Sequence, residues 1–193
     1  MTKQVVWDAD CFSAFLEVEK IPNVVMLLRG NKLIMPGPVY EEICAARNEG
    51  WKETIDQYIR SKIIVIKELY SNEEITKTYY KLRQHPDEGH LEIGSGEAAA
   101  IAIAKDTGAV LLSNNLKDIK QYVVEYNLKH ATTGTILYDM YRCGGMDKKE
   151  IEIIWNEMYS RGIKLPAQTF QEYVDKELWN IQNRYSFELN APR

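Results

Sequence analysis

Short apolar runs rich in β-branched residues alternate with longer amphipathic stretches along this chain, and that alternation leaves few folds open. Val5-Val6-Trp7, Ile63-Ile64-Val65-Ile66 and Ala109-Val110-Leu111-Leu112 have the length and composition of buried strands, and His130 to Thr133 is a fourth candidate. Between them the spacing predicts helical pieces over Ser13 to Leu16 and over Val24 to Leu28, with Pro22 in a first turn. Lys32 to Met35 is a short apolar stretch ahead of Pro36-Gly37-Pro38, where a turn is expected; Pro38 suits the start of a helix running to Gly50. Ser71, with Glu74 three residues on, predicts a capping box, and an alanine-rich helix runs from Glu97 to about Thr107 before Gly108. Asn115 is placed to cap the next helix, and Gly134-Thr135 to begin another. Strands separated by helices pair in parallel through right-handed crossovers, so the expected fold class is α/β.

The C-terminal residues change character. Asp147 and Glu150 form a capping box ahead of Ile151, Ile154, Trp155 and Met158, one helical stripe. Phe170, Val174, Leu178 and Ile181 form a second. The expected division is a domain over 1-142 and a helical extension over 143-193 packed on it. Exposed apolar stripes of this size are rare on monomers, so the Trp155 and Phe170 stripes are expected to bury against the core or against a second subunit.

Composition excludes several function classes. The net charge of −4 removes a uniformly basic nucleic-acid clamp, though not a local basic rim. The longest apolar run, Ala98 to Ala104, reaches only seven residues, far short of the roughly 20 that a membrane helix needs. Met1-Thr2-Lys3-Gln4 leads straight into Val5-Val6-Trp7 without a signal-peptide core, so a cytoplasmic protein without a membrane partner is expected. Cys11, Cys44 and Cys143 are scattered and lack CxxC spacing, which argues against a disulfide framework and a zinc site. His85, His90 and His130 form no triad pattern and read as surface or loop residues.

Open parallel sheets place ligands beyond the carboxyl ends of their strands. There this sequence has Asp8 and Asp10 after the first strand, and Ser113, Asn114, Asn115 and Asp118 after Leu112. Glu97 opens a helix, and Glu41 and Glu42 occupy the first turns of another, pointing about 100° apart so that only one faces a common site. Each acid taken alone reads as a helix cap. Two bare carboxylates about 4 Å apart repel by roughly 4 kcal/mol at an effective dielectric near 20, so a converging cluster calls for a cation, and hard oxygen ligands favour Mg2+ or Mn2+.

Val5 to Asp10 and Met35-Pro36-Gly37-Pro38-Val39-Tyr40-Glu41-Glu42-Ile43 resemble the first two motifs of PIN-domain proteins. Gly94-Ser95-Gly96-Glu97-Ala98-Ala99-Ala100-Ile101-Ala102 resembles the third, and Leu111 to Ile119 the fourth as it occurs in VapC-type, toxin-like members. The order and spacing match over about residues 4 to 141, and the tail resembles a prokaryotic PIN subgroup predicted to bind nucleic acid. The resemblance implies a PIN-like three-layer fold with a central parallel sheet. It also implies a Mg2+- or Mn2+-dependent endoribonuclease acting on RNA through metal-activated water, as a toxin whose partners are an antitoxin and a second copy of the chain. Asp8, Glu42, Glu97 and Asp118 would be catalytic, with Asp8, Glu97 and Asp118 on the metal. Asp10, Ser113 and Asn115 would support them, while Lys117 and Lys120 would contact nucleic acid or form a solvated face. The third acid is Glu97 where Asp is commoner, Asn115 replaces an acid found in many members, and Ile119 stands where an aromatic is often seen. Asn115 therefore keeps open a catalytically weak PIN-fold binding or regulatory protein. A more remote alternative is a haloacid-dehalogenase (HAD)-type phosphatase, from the D-x-D of Asp8-Ala9-Asp10.

Overall fold

The structure, a computed structural model, describes residues 3–46 and 49–188. Five parallel strands form its sheet: β1 (Gln4–Trp7), β2 (Lys32–Pro36), β3 (Ile64–Lys67), β4 (Val110–Leu112) and β5 (Lys129–Ala131). Their spatial order is β3-β2-β1-β4-β5, so the chain first grows the sheet away from β1 on one side and then returns to grow it on the other. The connections are α1 (Ala9–Glu17) and α2 (Ile21–Leu27), then α3 (Gly37–Ala45) and α4 (Glu49–Arg60). They continue with α5 (Glu73–Gln84) and α6 (Ser95–Thr107), then α7 (Leu116–Glu125). After β5 come α8 (Thr133–Arg142), α9 (Lys148–Ser160) and α10 (Phe170–Glu172).

Period-2 alternation on the central strand sorts these helices into two layers. Val5 and Trp7 point into a cluster with Phe12, Leu27, Val39, Ile136 and Trp155, so α1 to α3, α8 and α9 cover one face. Val6 points the other way, into a cluster with Ile75, Ile101 and Tyr122 from α5, α6 and α7. This is the three-layer α/β architecture with a central parallel sheet that the sequence resemblance implies. Among the described residues no helix is long and apolar enough to cross a membrane.

Local differences from the sequence reading have simple causes. Lys32 to Met35 is a full strand, paired on both sides, so Ala109 to Leu112 contains the fourth strand. No separate turn occurs at Pro36-Gly37-Pro38: Pro36 stays in register with Lys67 and is itself the N-cap of α3. The helix expected from Pro38 to Gly50 ends at Ala45, residues 47 and 48 of that span lie outside the described residues, and Gly50 falls inside α4. Asn72, not Ser71, caps α5, its side chain accepting from the Glu74 and Ile75 N–H groups. Met1 and Thr2, part of the start read as lacking a signal peptide, also lie outside the described residues.

The C-terminal segment closes over the α8 side of the sheet. The Asp147–Glu150 capping box forms as expected, and Ile151, Ile154, Trp155 and Met158 are all buried. Beyond it the expected second stripe is not one regular helix: α10 passes into a π-helical turn over Tyr173–Glu177 and a 3-10 turn over Leu178–Asn180. That irregular path buries Phe170, Tyr173 and Leu178 against Trp155, within the chain's own core. The stripes thus find their partner inside the molecule and supply no ground for a second subunit. Further along, Asn183 and Tyr185 bond the backbone of His130, adding a rung beside β5. His130, read as a surface or loop residue, is fully buried because this rung covers it. Burial also pushes its pKa down to about 4, so the ring is neutral at neutral pH.

Gly134 marks the tightest seam between the segment and the sheet domain. A Cβ there would lie 2.6 Å from the ring of the fully buried Tyr173. Gly134→Ala should therefore destabilise the protein by about 1–3 kcal/mol through overpacking, although alanine is the better helix former by roughly 1 kcal/mol. Urea melts of Gly134→Ala alone and with Tyr173→Leu check this, the second change being expected to recover part of the loss.

Candidate active site

The reversal of strand order puts the crevice between β1 and β4, and the polar residues after both strands meet there. Asp8 ends β1 and caps α1; its N–H continues the ladder to Leu112 O at 2.9 Å. One carboxylate oxygen accepts from Ala9 N at 2.8 Å and the other from the Ser113 hydroxyl at 2.7 Å, across the crevice. The side chain is 2% exposed. Burial raises the Asp8 pKa well above the usual carboxylate range, the neighbouring Asp10 and Glu97 charges adding to it against the Ser113 hydrogen bond. Asp10 accepts from Asn114 N with both oxygens, and burial lifts its pKa to about 6 with help from Glu97 and Glu42.

Glycine lets the next acids approach. At Gly96, in the first turn of α6, a Cβ would lie 2.7 Å from a Glu42 carboxylate oxygen, 3.3 Å from Val39 and 3.7 Å from an Asp8 oxygen. The bare backbone of α6 thus fits between two carboxylates and holds α6 against α3. Glu42 remains exposed to solvent at this mouth, yet partial burial and the Glu97 charge raise its pKa. Glu97 does two jobs. One oxygen accepts from Gly94 N at 2.9 Å, the capping role, and the other accepts from the Asn115 amide.

Asn115 stands at the N-cap position of α7 but makes no cap bond, contrary to the expectation from its sequence position. Its amide nitrogen donates instead to Glu97 and, at 2.8 Å, to Asp118. One neutral NH2 group thereby ties together two acids from different helices. The structure brings Glu97 into electrostatic contact with Asp8, Asp10 and Glu42, and Asp10 with Asp8 and Glu42, and joins Asp118 to them through Asn115. Among the described residues none of these acids has a Lys, Arg or His ion-pair partner. The donor set is oxygen-only, which suits a hard cation.

Two residues that sequence reasoning left out of the site complete its frame. Asn114 donates to Thr133 Oγ1 and accepts from Thr133 N, both at 2.8 Å, so it fastens the start of α8 to the end of β4. Ser113 O pairs with the buried His130 ring at 2.9 Å. The signal for Asn114 was present in the run Ser113-Asn114-Asn115; nothing local marks His130. Lys117 and Lys120 are both exposed on α7, and only Lys117 borders the hollow beside the acids. Elsewhere Asp87, His90 and Glu125 bring ligand atoms within 4.8 Å of one another. That trio is already engaged, since Lys81 pairs with Asp87 at 2.5 Å and His90 with Glu125 at 3.2 Å.

No protein-family model matches the chain, and no curated protein matches it. Solved structures similar to it include the following two. One is FitAB bound to an IR36 DNA fragment, with TM-score 0.46 and 13% identity over 67% of this chain and 94% of that one. The other is VapBC-1 from nontypeable Haemophilus influenzae, with TM-score 0.44 and 19% identity over 67% of this chain and 98% of that one.

Charge crowding at the crevice has a measurable sign. A carboxyl whose folded pKa is raised holds its proton more tightly folded than unfolded, so ionising it costs stability as pH rises from about 4 through 6. Asp10→Asn should then stabilise the metal-free protein by about 1–2 kcal/mol at pH 8, and the gain should vanish near pH 4. Thermal melts in EDTA at the two pH values test it. An equal shift at both would show that Asp10 acts as an uncharged cap.

Proposed function

We propose that this chain is a Mg2+- or Mn2+-dependent endoribonuclease that hydrolyses RNA phosphodiesters. The observation that supports this reading most is the gathering of Asp8, Glu42, Glu97 and Asp118, from four separate elements, at the crevice where the strand order reverses. Asp8, Glu97 and Asp118 would hold the cation, which when bound supplies Lewis acidity and an acidified water. The other contributions belong to the chain. Ala9 N and the Ser113 hydroxyl fix both oxygens of Asp8, and Asn115 sets the spacing of Glu97 and Asp118. Asp10, with its pKa near 6, is mostly ionised at neutral pH and takes up a proton beside Asp8 in mildly acidic solution. Glu42, the exposed acid, is free to orient a water at the mouth.

The second reading, a catalytically weak PIN-fold binding or regulatory protein, draws its support from Asn115. Its amide does part of the work that a cation would do, which lowers the demand for metal. A phosphatase using Asp8 as nucleophile finds less support, because that carboxylate is buried with both oxygens engaged. The sequence resemblance adds two partner proposals, an antitoxin protein and a second copy of the chain. Light scattering that returns the monomer mass at micromolar protein would remove the second.

Purified protein incubated with mixed RNA and Mn2+ should cleave it, with DNA as the parallel substrate. Cleavage should disappear in EDTA and fall at least 100-fold in Asp8→Asn and Asp118→Asn. Mn2+ at about 100 times its Kd should stabilise the wild type by about 2.7 kcal/mol, and Asp8→Asn by much less. Intact RNA across several substrates, together with a retained Mn2+ shift, would favour the binding protein.

A further inference from the structure

Beside the acids the surface opens into a cavity of about 340 Å3. Asn115, which holds Glu97 and Asp118, also lines this cavity, so the two spaces share a wall. Lys117 stands on the α7 side and Lys164 faces it from the C-terminal segment. Both lysines are exposed, and neither has an ion-pair partner among the described residues. In a chain of net charge −4, this hollow carries two unpaired positive charges on its lining. Between them Leu165, Pro166 and Ile181 give the hollow apolar walls. Glu177 is the one carboxylate on the lining, an acceptor for an amino group.

We propose that this cavity is a nucleotide subsite, which takes one unstacked base of single-stranded RNA next to the phosphodiester cut at the acids. The proposal rests on the nuclease reading of the neighbouring site. Lys117 and Lys164 hold the phosphates on either side of that base, and the apolar walls receive its flat faces. A volume near the lower end of the range for small-ligand pockets suits one nucleotide, and a base inside a duplex cannot enter without leaving its stack. The cavity is preformed. Trp155 Nε1 donates to Ala167 O at 3.3 Å beside Leu165 and Pro166, and the Tyr173 ring is seated on Gly134. The C-terminal segment is thereby a substrate-selecting element for acids that all lie before it in the chain.

Binding is measured in EDTA, so that it is read without turnover. The probes are a fluorescein-labelled single-stranded decaribonucleotide and its duplex, by anisotropy. Lys164→Glu and Lys117→Glu, both surface changes whose folding is verified by circular dichroism, should each weaken single-strand binding at least 10-fold. Each should also reduce the slope of log K against log salt by about 0.7. Amide NMR shifts on adding the four nucleoside 5′-monophosphates should cluster at 115–117, 164–165 and 177–181, and exceed those from inorganic phosphate. Unchanged affinity in both variants, or phosphate shifts equal to nucleotide shifts, would overturn the subsite. A wild type that cleaves while Lys164→Glu binds and cleaves identically removes the subsite and leaves the nuclease. A wild type that binds as described yet never cleaves leaves the subsite and removes the nuclease.

Discussion

The hydrogen bond from Ser113 to Asp8 joins the ends of β1 and β4, and much of the site's arrangement hangs on it. It is a bond between a carboxylate and a hydroxyl in an almost fully buried place. A buried carboxylate without donors is costly, so this position needs neighbours that donate. The chain supplies them from backbone and neutral side chains: Ala9 N and Ser113 for Asp8, Asn114 N for Asp10, Gly94 N and Asn115 for Glu97. Because no lysine or arginine is used, the acids are held in place without being neutralised. Burial first, and the neighbouring carboxylates after it, raise the pKa values of Asp8, Asp10 and Glu42.

Four of the five strands, their parallel pairing and the acids at strand exits were legible because they depend on local pattern, while Lys32 to Met35 showed itself as a strand only through its pairing on both sides. β-branched runs, a proline at a helix start and an acid after an apolar run carry their meaning within a few residues. The Asp147–Glu150 capping box was legible for the same reason. What could not be read was decided by residues distant in the chain. Asn115 has the sequence of a cap, but its NH2 group donates to the carboxylate of Glu97, 18 positions earlier, and its carbonyl oxygen makes no cap bond. His130 is unremarkable in sequence and is buried only because residues 183 to 185 pair beside it. The stripe from Phe170 to Ile181 has helical spacing, yet Tyr173 is drawn down onto Gly134 and the helix changes pitch to allow it.

Asn115 also shows how one neutral residue alters a charged site. An acid there would add a third negative charge beside Glu97 and Asp118. The amide instead gives each of them a donor, so the two carboxylates stay together without any ion. The geometry is set before a cation arrives, which reduces the ordering that binding must complete.

The order in which the chain leaves a ribosome gives the C-terminal segment a further consequence. Domains fold as their residues emerge, N-terminal parts first. Asp8, Glu42, Glu97 and Asp118 all precede β5, so the acids can meet on a nascent sheet while Lys164, Tyr173 and the rung at His130 are still inside the exit tunnel. Until that last wall is laid, the edge of β5 is open and the hollow beside the acids has one side missing. Translation then separates the moment when the acids can meet from the moment when the hollow beside them gains its last wall.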